Sequence, residues 1–164
     1  MRIAQVAPLI ESVPPKHYGG TERIVAYLTE ELVRLGHKVT LFASGDSVTS
    51  AELVPVCRRS FRQNKRATDY LSREVLLMDH VMQRADEFDV IHFHTGCLHY
   101  LISRHLTVPH LTTLHGRLDT SELLRLYERF RDMPMISISN LRKLASDDLS
   151  WITERFISVS PGAR

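Results

Sequence analysis

Tyr18-Gly19-Gly20-Thr21 opens the stretch of this chain best suited to chemistry. It follows a short apolar run, Ile3 to Ala7, and precedes a helical period from about Glu22 to Leu35. Adjacent glycines let a ligand come close to the backbone because no Cβ stands in the way. The free N–H groups and positive dipole end of the following helix form a site for phosphate or another anion. Strand, glycine loop and helix together predict a hold on a phosphorylated ligand, with Gly19, Gly20 and Thr21 in contact. The glycine pair also reads as a flexible turn after Pro14-Pro15. The Gly-x-Gly-x-x-Gly of dinucleotide folds is absent, which disfavours NAD.

Histidines supply the next candidates. His92 and His94 share one face of a strand, and His99 follows. As metal ligands they lack a carboxylate at ligand spacing, and Cys97 is a lone thiol, so no metal is expected. His115 ends the apolar run His110–Leu114, and Gly116 behind it permits close backbone approach. A histidine there is either a partner for nearby backbone or a site residue. Arg117 and Asp119 could hold hydroxyl groups of a ligand, or else form a surface ion pair of little consequence. Glu22 and Glu30 belong to the first helix, as an acid near its N-terminus and a solvated charge. Arg58, Arg59, Arg62, Lys65 and Arg66 crowd five cations before the second helix. They read as a solvated loop, or as a contact with an anionic lipid surface or acidic acceptor. With only Phe61 among them, nucleic acid is not an expected partner.

Elements that position these residues follow from periodicity. Strands are expected at Ile3–Ala7, Lys38–Ala43, Asp89–His94, His110–Leu114, Met135–Ser139 and Phe156–Val159, with a short extra strand over Ala51–Cys57. Ser44-Gly45-Asp46-Ser47 is a turn signal. The first helix should bury Ile24, Val25, Leu28, Leu32 and Leu35, with Gly36 as its cap. A second helix is expected from Ala67 to Glu87, burying Leu71, Val75, Leu76, Met78 and Met82. Shorter helices fit Leu98–Leu106, Ser121–Phe130 and Leu141–Ala145. Apolar strands alternating with helices predict an α/β fold: one Rossmann-like, doubly wound parallel sheet. Ligands of such sheets bind at the carboxyl ends of the strands, where Gly19-Gly20, His94, His115 and Ser139 all fall.

The 164 residues suit one domain, 43% hydrophobic and 24% charged, and a formal charge of +2 gives no argument for nucleic acid. Two cysteines, Cys57 and Cys97, make no disulfide framework and fit a reducing cytoplasm. No signal-peptide pattern or membrane-length apolar run is evident, so a cytoplasmic location is expected, with peripheral membrane contact through the basic loop as an option.

Gly19-Gly20-Thr21-Glu22-Arg23-Ile24-Val25, Leu32 to Ala43, Phe88-Asp89-Val90-Ile91-His92-Phe93-His94, Thr112-Thr113-Leu114-His115-Gly116 and Ser137-Ile138-Ser139-Asn140 occur in one order. That series resembles the N-terminal, acceptor-side domain of GT-B glycosyltransferases, in particular the retaining family 4. The resemblance implies a sugar moved from a nucleoside diphosphate sugar to a hydroxyl acceptor, without cofactor or metal. It sets Gly19 and Gly20 against the diphosphate, His94 at the site edge, and His115 on acceptor or transferred sugar, in the catalytic role. Gly116, Arg117 and Ser139 join them as substrate contacts. It also reads Val159–Gly162 as a crossover to a donor-binding C-terminal domain, absent from these 164 residues and needed in cis or in trans. Alone, the chain is then expected to transfer sugar very slowly or not at all. The rival expectation is a non-catalytic binding module, or a subunit of a separate donor-binding chain.

Overall fold

The computed structural model describes residues 1–116, 120–138 and 157–158. They fall into two units, Met1–His110 and Leu111–Arg164.

The first unit is built on four strands. β1 (Arg2–Val6) lies between β2 (Lys38–Ser44) and β4 (Val90–Phe93), and β3 (Glu52–Cys57) flanks β2. All pairings are parallel; Ile3 stands opposite Val39 on one side and Val90 on the other. Both faces are covered, which is why the strands are apolar throughout. On one face Ala4, Val6, Phe42, Ile91 and Phe93 meet Leu77, Met78 and Val81 of α2 (Tyr70–Gln83). On the other, Ala7, Leu41 and Ala43 meet Val25 and Ala26 of α1 (Gly20–Arg34). Each large aliphatic side chain removed from water here contributes about 2 kcal/mol.

Helix ends follow local chemistry. Gly36 takes φ +84°. Its N–H donates to Val33 O, while the His37 N–H donates to Leu32 O. This double bond pattern is the Schellman stop expected of a glycine there. α2 starts at Tyr70 rather than Ala67 because Asp69 caps it, its side chain accepting from the Ser72 N–H at 3.2 Å. Beyond α2 a 3-10 turn, Ala85–Glu87, replaces the predicted last turns. The predicted Leu98–Leu106 helix is a 3-10 turn, Cys97–His99, followed by α3 (Tyr100–Ser103).

Both long helices are rotated from their predicted faces. In α1 the buried residues are Glu22, Val25, Ala26 and Thr29, while Ile24 and Leu35 are 46% and 57% exposed. In α2 they are Leu77, Met78 and Val81, with Leu71, Val75 and Leu76 outside. The apolar arc of each helix is wider than its contact with the sheet, so periodicity leaves the rotation open. In α1 the small Ala26 and Thr29 permit the closer approach. Glu30 is not merely solvated: it accepts from the Thr49 hydroxyl (2.7 Å), the Ser50 N–H (3.0 Å) and the Ser50 hydroxyl, pinning the loop before β3.

In the second unit β5 (His110–Leu114), which begins at the last residue of the first, β6 (Met135–Ser137) and β7 (Ile157–Ser158) pair in parallel. α4 (Ser121–Arg129) connects β5 to β6 and buries Tyr127. Residues 139–156, which contain the predicted Leu141–Ala145 helix, lie outside the described residues. The α/β, Rossmann-like class expected from the sequence is the class observed. No helix among the described residues is long and apolar enough to cross a membrane.

Candidate functional site

β1 ends at Val6, and residues 7–19 cross the carboxyl edge of the first unit's sheet before α1 begins at Gly20. The crossing is tied down at several points. The Val13 N–H donates to Ser47 Oγ (2.9 Å), the Val48 N–H to Val13 O (2.7 Å), and Arg23 Nη2 to His17 O (3.2 Å). The basic loop docks on the same segment, with the Phe61 N–H donating to Leu9 O (2.8 Å) and the Arg62 N–H to Ile10 O (3.1 Å). Arg58, Arg59, Arg62, Lys65 and Arg66 are all exposed on it.

The two glycines of the predicted anion site differ in their surroundings. Gly19 is the N-cap of α1 and is buried. A Cβ on it would lie 2.7 Å from Pro15 Cβ and 3.0 Å from Glu22 Oε2, so packing alone demands glycine there. Gly20 is exposed, and a Cβ on it would meet nothing within 4 Å. The first-turn N–H groups have no acceptor within the helix, and Gly19 has no side chain to cap them. Gly20 and Thr21 thus sit at an uncapped, positively polarised helix end.

Glu22 occupies the third helical position, from which a glutamate reaches back over the cap. It is 4% exposed, and its Oε1 accepts from the Glu11 N–H at 3.3 Å. Sequence reading took Glu22 for a simple dipole charge and passed over Glu11. The Gly19-to-Glu22 capping spacing was the available signal for the first; a lone glutamate in a loop gave none for the second.

His94 follows β4 at the same edge, its N–H donating to Val6 O (2.9 Å). Its ring is buried: Nε2 donates to Gln5 Oε1 at 2.8 Å, and the ring lies 4.0 Å from that of His92. His99 stacks on Phe93 at 4.0 Å and donates from Nδ1 to Gly96 O at 2.8 Å. Burial pushes its pKa down to about 3, so it stays neutral. Tyr70, edge-on to Phe61, and Glu74 both have their pKa raised, chiefly by burial. Burial likewise raises the thiols of Cys57 and Cys97.

In the second unit, His115 comes directly after β5 and is half-buried, its pKa lowered by burial. Gly116 beside it is exposed, with open space where a Cβ would stand. Arg117, Asp119, Ser139 and Asn140 lie outside the described residues. Among the described residues no group of three His, Cys, Asp or Glu is placed to hold a metal ion.

A cavity of about 410 Å³ opens at the opposite, amino end of the first unit's strands, lined by Arg2, Lys38, Thr40, Glu52, Arg84 and Glu87 among others. Its two arginines are paired. Arg2 bonds Asp89 (2.7 Å), and Arg84 bonds Glu52 (3.1 Å) and Glu87 (2.7 Å).

The family model described as Glycosyltransferase Family 4 matches residues 18–164. Among solved structures, the chain is similar to a glycosyltransferase from Rickettsia africae, 17% identical over 98% of this chain and 43% of that one, with a TM-score of 0.60. It is also similar to the sucrose-phosphate synthase of Thermosynechococcus elongatus: 15% identity, 90% of this chain, 46% of that one, TM-score 0.53. The C-terminal domain of the coenzyme A biosynthesis bifunctional protein CoaBC matches at 13% identity over 83% of this chain and 76% of that domain, with a TM-score of 0.51. Such likenesses show a shared fold; they do not carry function. The chain spans less than half the length of the first two. No curated protein matches it significantly.

Proposed function

The chain belongs to Glycosyltransferase Family 4, and from that membership we propose that it is the acceptor-side half of an enzyme moving a sugar from a nucleoside diphosphate sugar to a hydroxyl acceptor. The observation that carries the reading is the uncapped start of α1 behind Gly19-Gly20, at the carboxyl edge of the sheet. Two or three free N–H groups there suit the diphosphate, and open space at Gly20 lets it approach. The nucleotide sugar is a co-substrate, and no cofactor takes part. His115 is the leading reactive-centre residue: kept neutral by burial, its imidazole can donate to or accept from a sugar hydroxyl. Gly116, Arg117, Ser139 and His94 complete the proposed contacts. The reading sets the protein in the cytoplasm, with Arg58–Arg66 available to an anionic membrane surface.

Stabilising the leaving diphosphate is the largest electrostatic demand of such a transfer. One helix end meets only part of it, so a donor-binding partner, in cis or in trans, supplies the rest. Alone, these 164 residues transfer sugar slowly or not at all.

Gly20→Asp tests the helix end. Space around Gly20 accommodates the side chain, and an acid in the first turn supports the helix, so the fold is kept. The new carboxylate should weaken uridine or guanosine diphosphate binding roughly tenfold or more by calorimetry. Equal affinity in the variant, or no saturable binding of either nucleotide by the parent chain, overturns the reading.

A further inference from the structure

Residues 7–19 cross the sheet edge without helix or strand of their own, so contacts with other elements must fix their course. Residue 11 is held there by its backbone and not by its side chain. Glu11 is 4% exposed, yet its Oε2 has no hydrogen-bond partner. Its other oxygen lies 3.5 Å from Arg62 Nη1, longer than the roughly 2.7–2.9 Å typical of a charge-assisted bond. A buried carboxylate served so poorly does not choose its own place. The Glu11 N–H supplies the tie, donating to Glu22 Oε1 at 3.3 Å.

Glu22 also touches the far end of the crossing. A Cβ on Gly19 would stand 3.0 Å from Glu22 Oε2, so the carboxylate lies against the N-cap of α1 while Oε1 reaches back to residue 11. A glutamate at the third helical position ordinarily accepts from the N-cap N–H. Here Oε1 is engaged by Glu11 instead, and no side chain caps the helix. Arg23 makes the other first-turn tie, to His17 O at 3.2 Å, but it is exposed and competes with water. Buried Glu22 does not.

We propose that Glu22 is a positioning residue for the diphosphate. By holding the Glu11 N–H and lying against Gly19, it fixes how the chain enters α1, and with that the direction of the free N–H groups at Gly20 and Thr21. Reach matters here and charge does not. An acceptor oxygen at that distance is sufficient, and a negative charge beneath an anion site is itself unfavourable. This rests on the nucleotide reading above.

Two substitutions separate reach from charge. Glu22→Gln keeps an acceptor oxygen at the same distance and loses the charge. Glu22→Asp keeps an acid in the first turn, which supports the helix, but is one methylene too short for the Glu11 N–H. Calorimetry with uridine or guanosine diphosphate should show binding about fivefold or more weaker in Glu22→Asp. In Glu22→Gln it should stay within about twofold of the parent, or tighten. Amide-resolved hydrogen exchange on the same samples should show the Glu11 N–H opened about fivefold or more in Glu22→Asp and still protected in Glu22→Gln. Equal affinity in the parent and Glu22→Asp overturns the proposal, because a residue that only stabilises the fold lowers the melting temperature and leaves affinity alone. Glu22→Gln is a test by itself: a fivefold loss there overturns the proposal, since charge then governs. A parent chain that binds neither nucleotide removes the site and takes both readings with it, whereas affinities that fail to separate in a binding parent overturn this one alone.

Discussion

The two ends of the first unit's strands make a useful pair. At the amino end lies the 410 Å³ cavity, whose two arginines are paired: Arg2 with Asp89, and Arg84 with Glu52 and Glu87. At the carboxyl end polar groups are left over: an uncapped helix end and an unpartnered Glu11 oxygen. Pairing separates them. Charges that pair within the fold hold elements together, whereas an unpaired buried one calls for its own explanation. Arg84 shows the first kind: it ties β3 to the turn after α2 and lies over Phe42 and Phe88, 5.8 and 5.9 Å from the ring centroids.

Acid should separate the two ends most. His99, beyond the carboxyl end of β4, has a folded pKa of about 3 against an ordinary 6.5. Its unfolded form therefore binds a proton first, and stability falls as pH drops below 6.5 toward 3. Half-buried His115 adds to the loss in the same direction. Between pH 6.5 and 4.5 the expected loss is about 2–3 kcal/mol by urea denaturation. The amino-end pairs should survive the same change, because Arg2 and Arg84 hold the Asp89 and Glu87 carboxyls below their ordinary range. His99→Phe, which keeps a ring on Phe93, should flatten the profile; an unchanged slope would end the assignment.

Next in size is Gly19→Ala. Its methyl would meet Pro15 at 2.7 Å, and a loss of about 1–3 kcal/mol is expected. An unshifted denaturation midpoint would show that the loop gives way freely. Arg84→Ala comes third: loss of its packing and pairs should lower the melting temperature by about 3–6 °C while leaving nucleotide titrations untouched. A binding defect in that variant would break the contrast between the ends. Arg2→Ala, at an exposed pair, should move the midpoint by less than about 2 °C. A larger shift would mean the amino-end charges act as one network.

Much of the framework was legible in the residues. His110–Leu114 is a strand at the predicted bounds, Gly36 stops α1, and Pro55 sits in the short strand inferred from Ala51–Cys57. Rotation of the helices was not, because Ile24 and Leu35 are as apolar as Val25 and Ala26 and only the sheet chooses between them. At the site, the glycine pair was located, but its halves were not told apart. Gly19 is glycine because Pro15 and Glu22 press on it, which depends on contacts made by the folded loop. Glu11 was illegible for the same reason: burial beside Glu22 gives it significance, and no spacing announces burial.

Pro55 lies in β3, the outermost strand of the first unit's sheet, within Leu53-Val54-Pro55-Val56-Cys57, and the ladder to β2 slips its register beside it, between Ala43 and Ser44. An apolar strand in that position, with a full row of N–H donors, would invite a second molecule to add its own strand. Pro55 has no N–H to give to either side of the strand. The outermost strand is therefore a poorer template for such an addition than its apolar residues alone would make it.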